Sequence, residues 1–168
     1  MIAVVRSIAM NDRRDIPGVI APPPLIALAT LLLGLVLDWF IPPLILRGIL
    51  GFGIRLIIGA TLIASGAAIA AVAIRSFLQV GTNVDPWKPA MSLVTTGIFA
   101  HTRNPMYLAL ILILVGLAIA LASDWMFVLL VPAALILHFG VVKKEERYLA
   151  AKFGERYRDY VSKVPPYV

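Results

Sequence analysis

Four apolar runs, at about residues 25–41, 51–74, 105–122 and 125–142, constrain this chain more than any other feature. Each holds close to the ~20 residues a helix needs to cross a bilayer's hydrocarbon. The predicted fold is all-α and integral to the membrane: four transmembrane helices plus a C-terminal amphipathic interfacial helix. All of it forms a single membrane domain over residues 1–168. Composition agrees: 61% of the residues are hydrophobic and only 14% charged, where a soluble domain has about a quarter charged.

The 1–21 segment reads as a cytoplasmic tail, with Arg6, Arg13 and Arg14 set against Asp12 and Asp15. Its apolar pieces are too brief for the core of a signal peptide. Residues 22–76 make the first two spans. Pro22, Pro23 and Pro24 open the first, because proline suits a helix's first turn. Asp38 and Trp39 close it, and Trp39 suits the aromatic belt at the interface. The second span is rich in small residues, Gly53, Gly59, Ala60, Ser65, Gly66 and Ala67, which allow helices to approach closely in lipid. Arg55, one turn inside, is expected to snorkel to the interface and to pair with Asp38.

Residues 77–104 form a polar cytoplasmic loop, long enough to serve as a functional element or simply as a tether. Residues 105–142 form a helical hairpin, since only Ser123 and Asp124 separate its two spans. Asp124 is the expected N-cap of the fourth helix, and Pro132 should kink it. From Lys143 the composition turns polar. Leu149, Phe153, Tyr157 and Tyr160 recur at helical spacing, predicting one amphipathic helix over residues 143–163 that lies at the interface and stops at Pro165-Pro166.

The formal charge is +6, but the basic residues cluster outside the apolar runs, where they orient the chain and meet anionic lipid rather than nucleic acid. They favour a multi-pass arrangement with both termini cytoplasmic, as in a prokaryotic cytoplasmic membrane. The chain has no cysteine, which excludes disulfides, thiolate metal sites and a cysteine nucleophile; no metal is expected.

That orientation brings two polar clusters to one side. The first is the entry to the third helix, with His101, Arg103, Pro105 and Tyr107. Backbone N–H groups at a helix start attract anions, and Arg103 adds a fork of donors. If both residues are helical, Arg103 and Tyr107 share a face. The second is the exit from the fourth helix, with His138, Glu145 and Glu146. In an unbroken helix His138 and Glu145, seven apart, stack on nearly one face. Acidic groups favour a cationic ligand and the basic entry an anionic one. A zwitterion with an added positive centre meets both, as S-adenosylmethionine does; a choline or ethanolamine headgroup fits as well.

Thr95-Thr96-Gly97-Ile98-Phe99, Arg103-Asn104-Pro105-Met106-Tyr107, His138, Glu145-Glu146-Arg147-Tyr148-Leu149, Phe153-Gly154 and Tyr157-Arg158-Asp159-Tyr160 together resemble the isoprenylcysteine carboxyl methyltransferase family. The likeness is strongest to its small prokaryotic members, within a wider group that includes the phospholipid N-methyltransferases. It covers about residues 81–161. It implies a membrane methyltransferase that uses S-adenosylmethionine without a Rossmann domain, and no Gly-rich nucleotide fingerprint follows a strand here. By that resemblance Gly97, Ile98, Phe99 and His101 contact the cofactor, Arg103, Tyr107 and His138 line its pocket, and Glu145 or Glu146 binds its polar end or positions the acceptor. Arg103, Glu145 and Glu146 are the candidate catalytic residues. Ala100 stands where many relatives carry a basic residue, and Asn104 replaces a frequent histidine; an amide hydrogen-bonds but is no base.

The expected chemistry is in-line methyl transfer, in which the protein positions the reactants and removes water. A carboxylate acceptor needs no base. An amine does, and His101, His138, Glu145 and Glu146 are the candidates. A lipophilic acceptor is expected to enter from the bilayer, between the second span and the hairpin. The competing readings are a phospholipid N-methyltransferase or small-thiol methyltransferase, a nicotinamide-dependent membrane reductase, and a non-enzymatic scaffold.

Overall fold

A computed structural model describes residues 15–42 and 45–167, so the expected tail lies outside it up to Arg14. All regular structure among these residues is helical. The elements are α1 (Pro23–Phe40), α2 (Ile45–Ile49), α3 (Phe52–Gln79), a 3-10 turn (Gly97–Ala100), α4 (Pro105–Leu121), α5 (Asp124–Leu137), a π-helical turn (His138–Val142), α6 (Lys143–Phe153) and α7 (Glu155–Lys163).

Three continuous helical stretches are long and apolar enough to cross a membrane: Pro23–Phe40, Phe52–Gln79 and Asp124–Phe153. α4 is apolar throughout but shorter, at 17 residues. Each prolyl start is where the sequence put it, with Pro23 and Pro105 in the first turns of α1 and α4. Hydroxyls inside the helices bond back to their own backbone: Thr30 to Ile26 O, Thr61 to Ile57 O, Ser65 to Thr61 O and Ser76 to Val72 O, all within 3.0 Å. This is how a polar side chain is tolerated where water is absent. Large apolar side chains such as Ile57, Val131 and Phe139 point outward, as a surface in contact with acyl chains requires.

The helices pack in the order α3, α4, α5, α1, with α1 also reaching α4. The α3–α4 seam is close because it is made of glycine. A Cβ on Gly59 would lie 2.7 Å from Gly116 O, one on Gly116 2.8 Å from Gly59 O, and one on Gly66 2.8 Å from Ala109 O. Of the small residues singled out in the second span, Gly59 and Gly66 therefore serve this contact, while Gly53 meets nothing. On the other flank α1 packs through Ile26 against Ala133 and Leu137 of α5 and Val141 of the π-helical turn, and through Ala27 against Met126 of α5 and Leu114 and Ala118 of α4.

Several local expectations are corrected. The N-cap of α5 is Ser123, whose Oγ accepts the Met126 N–H at 3.0 Å. Asp124 instead accepts the Ile45 and Leu46 N–H groups at 2.8 and 3.0 Å, capping the short α2 across the loop. A carboxylate serves two donors from another element better than the one its own helix offers. Arg55 and Asp38 form no ion pair among the described residues. Arg55 lies 5.9 Å over the Phe52 ring, and Asp38 Oδ1 is buried without a hydrogen bond. The single helix expected over residues 143–163 is two. Gly154, at φ +56°, breaks it, and α6 continues the line of α5 through the π-helical turn. Pro132 sits within α5, which runs on past it.

Candidate functional site

The site forms where the entry of α4 meets the π-helical turn and α6. Two polar contacts join them, one a hydrogen bond and one an ion pair. Tyr107, in the first turn of α4, donates to Glu145 Oε1 at 2.7 Å. Arg103, two residues before α4, places a terminal guanidinium nitrogen 3.1 Å from Glu146 Oε1. Arg103 is thus outside the helix rather than sharing a helical face with Tyr107, and the two residues engage successive carboxylates instead.

Burial makes these pairs consequential. The Arg103 and Glu146 side chains are only 10% and 15% exposed. Their contact has the distance of an ion pair but not the alignment of a hydrogen bond. Arg103 Nε and Glu146 Oε1 are consequently buried without a hydrogen-bond partner among the described residues. Glu146 Oε2 accepts from Lys143 Nζ at 2.9 Å. A buried unpaired N–H or carboxylate oxygen costs free energy of order 1–3 kcal/mol, so this arrangement leaves hydrogen-bonding capacity for a ligand. Glu145 lies three residues past the apolar run that ends at Val142. Burial pushes its carboxyl up to about 7, against the opposing effect of the Tyr107 hydrogen bond.

A hollow of about 190 Å³ opens at this junction. Its walls include Pro23 and Pro24 of α1, Phe77 of α3, Trp87 of the following connection, and Tyr107 and Glu145. A second hollow of about 100 Å³ shares Phe77, Phe99, Arg103, Asn104 and Glu145 with it and is also lined by Glu146. The connection after α3 is therefore a wall of the hollow, not merely a tether. It is held by Thr82 Oγ1, which accepts from Met91 N and Ser92 N, by Asn83 donating to Pro89 O, and by Tyr148, whose hydroxyl accepts the Ala90 N–H. Tyr148 also donates to Asp15, which pairs with Lys152 at 2.6 Å. One phenol so ties residue 15, the loop and α6 together.

The candidate residues divide by position. Phe99, Arg103, Tyr107, Glu145 and Glu146 line these hollows. Gly97, Ile98 and His101 are not among the lining residues, and Gly97 and His101 are exposed. The 3-10 turn instead inserts Phe99 between Ala73, Val94 and an edge-on Phe77 ring at 5.0 Å. His138 bonds through Nδ1 to the Tyr167 hydroxyl at 2.9 Å. The π-helical turn adds a residue to one helical turn, so His138 and Glu145 do not keep the stacking an unbroken α-helix would give. Sequence reasoning missed Phe77, Trp87 and the α1 prolines as wall residues. Only the loop's aromatic Trp87 carried a signal.

The phospholipid methyltransferase family model matches residues 54–156, more than half of the chain. This chain belongs to that family. No curated protein and no solved structure matches it. The family match begins inside α3 and ends early in α7, so it contains Arg103, Tyr107, Glu145 and Glu146, whereas the α1 prolines that line the larger hollow lie outside it. Family membership makes the chain a membrane methyltransferase, in agreement with the resemblance read from the motifs.

Proposed function

We propose that this chain transfers a methyl group from S-adenosylmethionine to a lipophilic acceptor in the membrane, in the manner of the isoprenylcysteine carboxyl methyltransferases. The observation that carries the reading is the pairing of Tyr107 with Glu145 and of Arg103 with Glu146 beside two hollows that share Arg103 and Glu145. The donor set fits the cofactor. Arg103 Nε is buried and unpartnered and suits a carboxylate. Glu145 suits an ammonium. Phe77, Phe99 and Trp87 offer apolar and aromatic surface for a purine. When bound, S-adenosylmethionine supplies an electrophilic methyl group.

The chain's own contribution is placement. Arg103 and Glu145 orient the polar end, and the aromatic wall excludes water from the reacting atoms. The arrangement is four spans, α4 included, with both termini and the site at the cytoplasmic face. α6 and α7 sit at that interface. The seam between α3 and the hairpin is closed by the Gly59–Gly116 contact, whereas α1 and α3 barely meet and both border the larger hollow. Lateral entry of an acceptor is therefore assigned to the gap between α1 and α3, over α4, not to the second span and the hairpin.

A second reading keeps the enzyme class and takes a phospholipid amine as acceptor. Two observations favour it: the family model is that of phospholipid methyltransferases, and a carboxyl held up near 7 at the hollow suits a base that must collect a proton near neutral pH. Labelled S-adenosylmethionine should bind the detergent-purified protein, and incubation with a membrane extract should label one lipid class. Labelled carboxyl esters point to the first acceptor and labelled amines to the second. Failure to bind, with nicotinamide binding instead, overturns both.

A further inference from the structure

Beyond the helix it terminates, the segment at residues 165–167 touches both halves of the site. Pro165 O accepts the Arg103 N–H at 3.0 Å. Pro166 O accepts from Thr102 Oγ1 at 3.2 Å and from Asn104 Nδ2 at 2.9 Å. One residue later the Tyr167 hydroxyl meets His138 Nδ1 at 2.9 Å. The segment thus spans from the entry of α4 to the π-helical turn after α5, bracketing Arg103.

Two features indicate that this is more than a chain end lying on a surface. Consecutive prolines have no N–H and a fixed φ, so they present a stiff pair of carbonyls with no competing donors. Asn104 also occupies the N-cap position of α4, where an asparagine usually caps its own helix. Here it makes no such bond, and its side-chain amide goes to Pro166 instead. Thr102 is 2% exposed and completes the turn by accepting the Asn104 N–H at 3.3 Å while donating to Pro166. The side chains on either side of Arg103, Thr102 and Asn104, are thus both committed to Pro166 O.

We propose that residues 165–167 act as a strap that fixes the backbone under Arg103 and ties it to His138, and that Thr102 and Tyr167 are positioning residues for cofactor binding. The proposal rests on the cofactor reading above. The strap holds the Arg103 backbone, the Thr102 and Asn104 side chains and His138, and so sets where Arg103 begins its reach into the hollow.

The test uses the full chain in detergent, with S-adenosylmethionine as the probe and two readouts, equilibrium binding and hydrogen exchange at the Arg103 amide. Each of Thr102→Val and Tyr167→Phe removes a hydroxyl with little change of volume. Each should weaken binding about fivefold, the effect of one lost hydrogen bond near 1 kcal/mol, and should speed exchange at Arg103. Thr102→Ser should restore both. Faster exchange with unchanged binding makes the strap merely structural and overturns the positioning role. Unchanged exchange and unchanged binding overturn the strap altogether. A wild-type chain that binds no S-adenosylmethionine removes the cofactor reading first, and the positioning role with it.

Discussion

Tyr107 and Glu145, 38 residues apart in sequence, share a 2.7 Å hydrogen bond where the two helices of the hairpin come back to the same level. The bond is possible because α4 begins at Pro105, which leaves Tyr107 in its first turn, and because the π-helical turn delivers Glu145 just past the last apolar residue of the fourth apolar run. It places a proton-sharing carboxyl beside the hollow. A site built this way should respond to changes in charge more than to changes in size.

Glu145→Gln keeps the shape and the ability to accept the Tyr107 hydroxyl but removes the charge. Methyl transfer should fall by at least ~100-fold, the lower end of what a positioned acid–base or charge partner contributes, with protein yield unaltered. Tyr107→Phe leaves the carboxylate in place and should cost less, about tenfold. The check is initial-rate kinetics with labelled S-adenosylmethionine. A loss in Tyr107→Phe as large as that in Glu145→Gln would mean that the hydrogen bond matters as much as the charge, and a loss confined to Tyr107→Phe would overturn the role given to the charge.

The same carboxyl makes stability depend on pH. Glu145 binds its proton more tightly folded, at about 7, than unfolded, near 4.5. Between those values the native state holds more protons than the unfolded one, so stability falls as pH rises through this window. Melting temperature should therefore drop by roughly 5 °C between pH 4.5 and 7.5 more in the wild type than in Glu145→Gln. Parallel pH profiles for the two proteins would contradict this assignment.

Gly116 and Gly59 bring the α3 and α4 backbones together, and a Cβ on either would reach the other's carbonyl within 2.8 Å. Neither backbone can yield as the end of a flexible side chain would. Gly116→Ala should cost about 1–3 kcal/mol of stability through forced separation, and Gly116→Leu should prevent α3 from docking. The measurement is thermal unfolding in detergent. Gly53→Ala, with open space around it, is the control and should be neutral.

Asp124 caps α2 from the far end of the hairpin. Asp124→Ala should destabilise the 41–51 connection by about 1 kcal/mol and expose it to protease. S-adenosylmethionine binding should be untouched, because the site is at the opposite end of α4. Loss of binding in this variant would show that the two ends are coupled.

Much of the architecture could be read directly. Apolar run length marked the positions of the apolar helices, the prolines at 22–24 and at 105 marked helix starts, and the two-residue gap at Ser123-Asp124 made α4 and α5 an antiparallel hairpin. That hairpin alone brings Arg103 and Tyr107 near Glu145 and Glu146. These are local or near-local constraints, in which a residue's type limits its own backbone or that of its neighbours in sequence. The π-helical turn, the choice of Ser123 over Asp124 as cap, the break at Gly154, the α1 prolines in the wall of the hollow and the path of residues 165–167 onto the 102–104 turn were settled by tertiary structure. Each depends on which of several chemically equivalent donors and acceptors comes within 3 Å, and only the packing of helices distant in sequence decides that.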